Sequence, residues 1–478
     1  MLHWGAVLLG LTCVRLLVAA AVPLAPDEAY YWIWSRAPAA GYLDHPPMVA
    51  LWIAAGTFLA GDTLLGVRLL GPISAAVGAL LLADAAERLI PNRKAGLFAA
   101  AGLSATLLLG VGSVIMTPDT PLLFFWIATI WALARIATGG DARWWPVVGV
   151  FAGAALASKY TAAFLWGGIF LWLVVSPPMR RWLRHPMPWF GALLGMAVFA
   201  PVIVWNHAHG WVGFLRQGGR VADWQPGRAI GFLGELIGGQ AGLVTPGLYV
   251  LCLAGIVLAT RRMIVSRDPV WTLLCLLTLP ASLLFLQHAI GDRVQGNWPA
   301  IVYPAAIVAA AERLPRWLER WRRPSIGLGF ALTALAYVQA STFALPVPVR
   351  LDPIALRLSG WDGLAQQIEA ERLRAGADFV VAEQYALAAE LAWHLPPATT
   401  VLAAESRWSL FSLPLGDRKG AVGLLVTGAR ADPPDPALWP TARPSGQGAR
   451  GGIEGFRFFT TVLPAEHVAV AELPRPRR

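Results

Sequence analysis

Apolar residues in this chain fall in long blocks rather than in alternation. They lie near residues 5–22, 64–83, 96–114, 120–138, 146–157, 161–175, 188–205, 243–260, 269–288, 298–311 and 325–343. Blocks of this length with so few charges predict membrane-crossing helices, each needing about 20 residues to span the hydrocarbon core; several here are shorter. The expected fold is therefore an α-helical polytopic membrane protein with about eleven transmembrane helices. The first block has no basic leader and is interrupted by Arg15, so it reads as an uncleaved span rather than a signal peptide.

The pattern changes near residue 346, where polar residues enter and periods of helix and strand alternate. Residues 364–375 suit an amphipathic helix, "DFVVA" a buried strand, "QYALAAELAWHL" a helix and "TTVLAA" a second strand. Residues 429–450, rich in Pro, Gly, Ala and Arg, read as a loop. The expected organisation is a transmembrane domain over 1–345 and a small α/β domain over 346–478, without a Walker or dinucleotide loop.

Composition supports the membrane reading. Of 478 residues, 56% are hydrophobic and only 14% charged, with a mean hydropathy of +0.56. A soluble domain carries about 25% charge. The net charge of +10 suggests nucleic acid at first sight. Its distribution points instead to the excess of Lys and Arg in cytoplasmic loops. With the amino terminus placed inside, the inner loops hold fifteen basic residues: Arg88, Arg93, Lys94, Arg143, Arg180, Arg181, Arg184, Arg261, Arg262, Arg267, Arg313, Arg316, Arg320, Arg322 and Arg323. The outer loops hold six: Arg36, Lys159, Arg216, Arg220, Arg228 and Arg293. This asymmetry predicts a cytoplasmic amino terminus and an outward C-terminal domain, and no nucleic-acid partner. Cys13, Cys252 and Cys275 all lie inside apolar blocks, in neither a metal-binding nor a disulfide pattern.

The outward loops are where the unusual chemistry collects. In "APDEAYYWIWS" Pro26 suits a first helical turn, which sets Asp27 and Glu28 at the positive end of the helix dipole. Successive helical residues diverge by about 100°, so one carboxylate can face a cavity while the other faces the scaffold. Tyr30, Tyr31, Trp32 and Trp34 form an aromatic band suited to the interface. In "GYLDHPPMVALW" the two prolines pin Tyr42, Asp44 and His45 at a loop-to-helix junction. Asp119 sits in "TPDTP", and Lys159 and Tyr160 in "ASKYTA". Asn206, His207, Arg216 and Arg220 sit in "WNHAHGWVGFLRQGGR", and Arg293 and Asn297 in "GDRVQGNWPA". Lys159 stands alone in apolar sequence, which marks an ionisable group at membrane depth as a functional candidate. His207 and His209, two apart, would diverge on a strand and make a poor metal pair, whereas Arg216 and Arg220 share a helical face. Carboxylates opposite isolated cations suit transfer of a sugar from a lipid phosphate: the acceptor hydroxyl needs a base, and the leaving phosphate needs positive charge.

Read in order, "PDEAYYWIWS", "GYLDHPPMVA", "TPDTPLLFFW", "SKYTA", "WNHAHGWVGF" and "GDRVQGNWPA" resemble the GT-C membrane glycosyltransferases. Among them the bacterial lipid A transferases for aminoarabinose and galacturonic acid, related to protein O-mannosyltransferases, are the nearest in pattern. The likeness covers roughly residues 20–310 and is specific to the superfamily more than to any sugar. It implies inverting transfer from a polyprenyl-phosphate sugar to lipid A or another lipopolysaccharide acceptor, on the periplasmic side of a bacterial inner membrane. Asp27 would act as base, with Glu28 and Asp119 as supporting acids or metal ligands. The remaining outward residues, Tyr30, Tyr42, Asp44, His45, Lys159, Tyr160, Asn206, His207, Arg216, Arg220, Arg293 and Asn297, would contact substrate. Some members use a divalent cation, but these residues do not form a settled ligand pattern. Protein O-mannosylation and cell-wall polymer synthesis are alternatives on the same fold. A lipid-linked sugar transporter is the alternative of another class, but the charges cluster in outer loops and no half-to-half repeat is visible.

Overall fold

The computed structural model describes residues 2–92, 94–219, 224–414, 418, 420–463 and 470–477. The apolar blocks are helical, as their composition requires: in hydrocarbon every backbone group must be satisfied within its own segment. Among the described residues, five helices are long and apolar enough to cross a membrane: Leu64–Leu89, Asp119–Gly139, Pro186–Ala208, Pro246–Ser266 and Pro269–His288. Two helix pairs pass the same length and composition test together but are sharply bent where prolines fall, Gly5–Ala21 with Pro26–Arg36 at 88° and Tyr160–Val175 with Pro177–Arg184 at 108°. Four shorter apolar helices accompany them, Met48–Ala60, Ala95–Ser104, Trp144–Leu156 and Trp298–Ala310. The predicted block 96–114 is discontinuous, breaking into Ala95–Ser104 and Leu107–Gly112. Thr106 leaves the helix there, and its hydroxyl accepts from the Leu109 N–H.

The chain forms two compact units. The first comprises residues 1–15, 44–49 and 70–335. Its core is a continuous apolar cluster that includes Leu82, Trp126, Leu133, Trp172, Leu273 and Ile301. Glycines let the backbones approach. On Trp144–Leu156, Gly149 and Gly153 face Gly191 and Gly195 of Pro186–Ala208; a Cβ at Gly149 would lie 1.8 Å from the Gly191 carbonyl oxygen. The outer face of the latter helix leaves Leu193 and Val204 two-thirds exposed, which only a lipid environment makes favourable.

The second unit comprises residues 16–43, 50–69 and 336–478. It holds a six-stranded sheet of β1 (Phe379–Ala382), β2 (Thr400–Ala404), β3 (Val422–Gly428), β4 (Arg443–Arg450), β5 (Glu454–Val462) and β6 (Val470–Glu472). Their order is β4-β5-β3-β1-β2-β6. β1 is parallel to both neighbours, β2 and β3, and the remaining pairs are antiparallel. All four residues of β1 are buried, which explains its unbroken apolar run. The helices Trp361–Arg374 and Tyr385–His394 fall where the sequence pattern predicts them. The expected loop at 429–450 is corrected in part: its last eight residues are the edge strand β4, whose Pro444 sits at a register shift. Proline and glycine masked the strand, and an edge with a bulge is where a sheet tolerates them.

The glycine contact makes the first prediction. Gly149→Ala should destabilise the protein by about 1–3 kcal/mol through overpacking, read as a lowered thermal midpoint in detergent. Gly167→Ala, with nothing within 4 Å of its added carbon, should leave the midpoint unchanged.

Candidate active site

The helix Pro26–Arg36 begins as its sequence demands. Ala25 is extended, Pro26 occupies the first turn, and Glu28 Oε2 accepts from the Ala25 N–H at 3.0 Å. Glu28 is fully buried, and so is Arg68. Arg68 donates from Nε to Glu28 Oε1 at 2.7 Å and from a terminal nitrogen to Oε2 at 2.5 Å. The remaining donors of Arg68 go to the carbonyls of Ala19, Val22 and Pro23, at the end of the preceding helix. One guanidinium thus neutralises Glu28 and satisfies carbonyls that the bend leaves without helical partners. With Glu28 held inward, Asp27 turns to the exposed side.

Aromatic rings and C-terminal residues surround that helix within the same unit. Tyr30 is buried with its ring 4.6 Å from Tyr385, 5.1 Å from Trp34 and 5.6 Å from Trp408. Tyr385 Oη lies 3.5 Å from Asp27 Oδ1. Tyr42 is buried and stacked on Trp34; its hydroxyl donates toward the Trp34 and Ala37 carbonyls and accepts from the Ala39 N–H. Burial pushes its pKa up to about 12, against the Ala39 hydrogen bond. Tyr42 therefore holds the turn that ends the helix. Further along the unit, Glu390 is fully buried; burial pushes its carboxyl up, and the charge of Glu28 adds to that. His394 lies 2.7 Å from Asp362 and 3.2 Å from Glu390. Burial opposes its charge, but the hydrogen bonds to Asp362 and Glu390 outweigh it and raise its pKa to about 9.

In the other unit, Asp119 opens the helix Asp119–Gly139. Both its oxygens accept from Lys159 Nζ, at 2.8 and 2.9 Å, and Oδ2 also accepts from Asn297 at 2.6 Å. The isolated cation of the sequence reading is thus half of a nearly buried ion pair, formed across 40 residues. Asp44 lies 3.7 Å from Arg216, and its carbonyl accepts from Gln217. Beside it His45 is half-buried. Asn206 is buried: it donates toward Tyr160 Oη at 3.3 Å and accepts from the Gly213 and Phe214 N–H groups, bracing the turn at 209–212. His207 is exposed against Trp211. It and His209 end a helix rather than a strand, His209 stacking on Trp205. Arg293 also has a partner, Glu235 at 2.7 Å, on the exposed surface. Arg220 lies outside the described residues. Among the described residues no group of three or more His, Cys, Asp or Glu is placed to hold a metal. Asp119, the acid expected to serve one, is committed to Lys159 and Asn297. The described residues do not fit a divalent cation.

Comparison with known proteins bears on this arrangement. The family described as dolichyl-phosphate-mannose-protein mannosyltransferase matches residues 44–205. The lipid A galacturonosyltransferase RgtD of Rhizobium johnstonii is 28% identical over 419 residues, 84% of this chain and 86% of its own. The crystal structure of ArnT from Cupriavidus metallidurans bound to undecaprenyl phosphate superposes with a TM-score of 0.63 at 15% identity, covering 95% of this chain and 98% of ArnT. Its apo form gives 0.62 at 14% over the same shares. Along most of its length the chain is thus similar to a lipid A galacturonosyltransferase, and its fold is that of ArnT.

The sequence reading missed Arg68, Tyr385 and Arg407, whose guanidinium carbon stands 3.9 Å from the Tyr385 ring centre. Arg68 had a signal, a charge inside the apolar block 64–83. The other two had none, since a tyrosine and an arginine in a polar domain are unremarked.

Two predictions follow from the buried charges. Arg68→Met strands Glu28 in the interior and should cost about 3–5 kcal/mol of stability, while adding Glu28→Gln should recover part of the loss. Thermal unfolding of the native protein, the single variant and the double variant checks this. His394 in the folded state titrates above its ordinary value of 6.5, so its stabilisation is complete below about pH 6.5 and is lost as pH rises through about 9. The thermal midpoint should therefore fall between pH 6.5 and 9.5 more steeply in the native protein than in His394→Gln.

Proposed function

We propose that this protein transfers a sugar from a polyprenyl-phosphate carrier to lipid A or a related glycolipid at the periplasmic face of a bacterial inner membrane. The observation that carries the reading is the likeness to a lipid A galacturonosyltransferase along most of both chains. The fold shared with a protein solved with undecaprenyl phosphate supports the choice of carrier. In this reading residues 1–345 form the membrane domain and residues 346–478 an outward-facing one.

The reaction is a single displacement. The acceptor oxygen bonds to the anomeric carbon, the bond from that carbon to the carrier phosphate oxygen breaks, and the phosphate departs with the electron pair. Configuration inverts. Asp27, the exposed member of the carboxylate pair, takes the proton of the acceptor hydroxyl. Glu28 is the scaffold member, held by Arg68.

The protein in nanodiscs, given a polyprenyl-phosphate sugar and lipid A, should yield lipid A heavier by one sugar residue in the mass spectrum. Asp27→Asn should insert normally and lose roughly 10²–10⁴-fold in rate. Full activity in that variant would remove Asp27 as the base. The match to protein mannosyltransferases over 44–205 favours a second reading, a protein acceptor. Cells lacking the gene would then keep their lipid A mass profile and lose sugar from periplasmic proteins.

A further inference from the structure

The C-terminal part of the chain reaches the carboxylate to which the base is assigned. The helix Tyr385–His394 packs on the helix Pro26–Arg36, with Trp393 edge-on to Trp32 at 5.2 Å between ring centres. The packing sets the first residue of one helix beside the second residue of the other. Tyr385 Oη therefore lies 3.5 Å from Asp27 Oδ1, although 358 residues separate them.

Two features distinguish this contact from ordinary packing. The Tyr385 ring has two close neighbours: the Tyr30 ring lies 4.6 Å away, and the Arg407 guanidinium carbon stands 3.9 Å from its centre. Arg407 is itself fixed, with Nε 2.7 Å from Glu405 Oε1, a terminal nitrogen 3.4 Å from Tyr30 Oη, and a side chain only 9% exposed. The rings of Trp408 and Phe411 close the cluster around Tyr30. A phenylalanine at 385 would fill the same space; the hydroxyl adds a donor directed at the one exposed carboxylate of the pair. Three nearby charges of this unit have partners of their own. Glu28 is met by Arg68, Glu390 by His394, and Arg407 by Glu405.

We infer that Tyr385 is a positioning residue for the transfer, its hydroxyl donating to Asp27 to aim the carboxylate and keep it ionised, with Arg407 holding the Tyr385 ring in place. A hydrogen bond to the charged form of an acid favours that form, and a fixed donor selects one side-chain orientation. In apo structures such contacts are long and tighten when substrate binds, which suits the separation seen here. The sheet-bearing part of the chain is then a working part of the site rather than an appendage. The inference builds on the assignment of Asp27 as base.

The test uses the full-length protein in nanodiscs with a polyprenyl-phosphate sugar donor and lipid A. Tyr385→Phe should keep the native thermal midpoint and the donor KM. Its kcat should fall by roughly tenfold, the value of a hydrogen bond to a charged group. The acid limb of its kcat/KM profile against pH should move up by about one unit, because Asp27 loses a donor that favours its ionised form. Arg407→Gln should shift the limb the same way by less. A merely structural role for Tyr385 would lower the midpoint and leave the limb in place. An acid limb unmoved in both variants, whatever their rates, overturns the inference. The outcomes separate from those of the base assignment. Asp27→Asn inactive with Tyr385→Phe unchanged overturns the positioning role alone, whereas full activity of Asp27→Asn removes the base and this role with it.

Discussion

The bidentate pair between Arg68 and Glu28 is the interaction on which the candidate site depends. Both groups are fully removed from solvent. Taking two charges out of water costs several kcal/mol per ion, and only near-ideal geometry with every donor satisfied offsets it. Arg68 meets that condition by spending its other N–H groups on the carbonyls of Ala19, Val22 and Pro23. The same contacts that neutralise Glu28 also tie down the bend between two helices. Because Glu28 cannot turn outward, its neighbour Asp27 must, and the chemistry available at this helix start belongs to one carboxylate.

The second charged group follows the same logic. Lys159 is nearly buried, as an isolated ammonium at membrane depth cannot be without a partner. Asp119 gives it both carboxylate oxygens, and Asn297 completes the coordination of Oδ2. Arg293, by contrast, pairs with Glu235 where water screens both, so the pair contributes little to stability. Two cations that look alike in the sequence are therefore physically different. One is preorganised and poorly hydrated; the other is a solvated surface charge.

Much of the fold was legible because hydrocarbon imposes a one-dimensional rule. Blocks such as 188–205 and 269–288 must be helical wherever they lie, since no other conformation satisfies their backbone. Short-range rules sufficed for the Pro26 helix start and for the alternation of helix and strand at 361–404. They failed at β4, whose Pro, Gly and Ser residues resemble a loop and are tolerated only because β5 supplies an edge to pair with. They failed again at 96–114, where a hydrophobic run hides the break that Thr106 stabilises.

By itself the sequence determined the membrane class, the positions of the helices, the presence of a mixed α/β segment and the candidate acids at 27, 28 and 119, because each follows from local composition or from spacing along one element. Which of Asp27 and Glu28 faces outward, that Lys159 has a partner, and that Tyr385 and Arg407 stand beside the first acidic helix were decided only by tertiary structure. Those outcomes depend on pairings across 40 residues or more, between Arg68 and Glu28, Lys159 and Asp119, and Tyr385 and Asp27. No periodicity along the chain encodes such a pairing; it is set by which buried charges find partners when the helices pack.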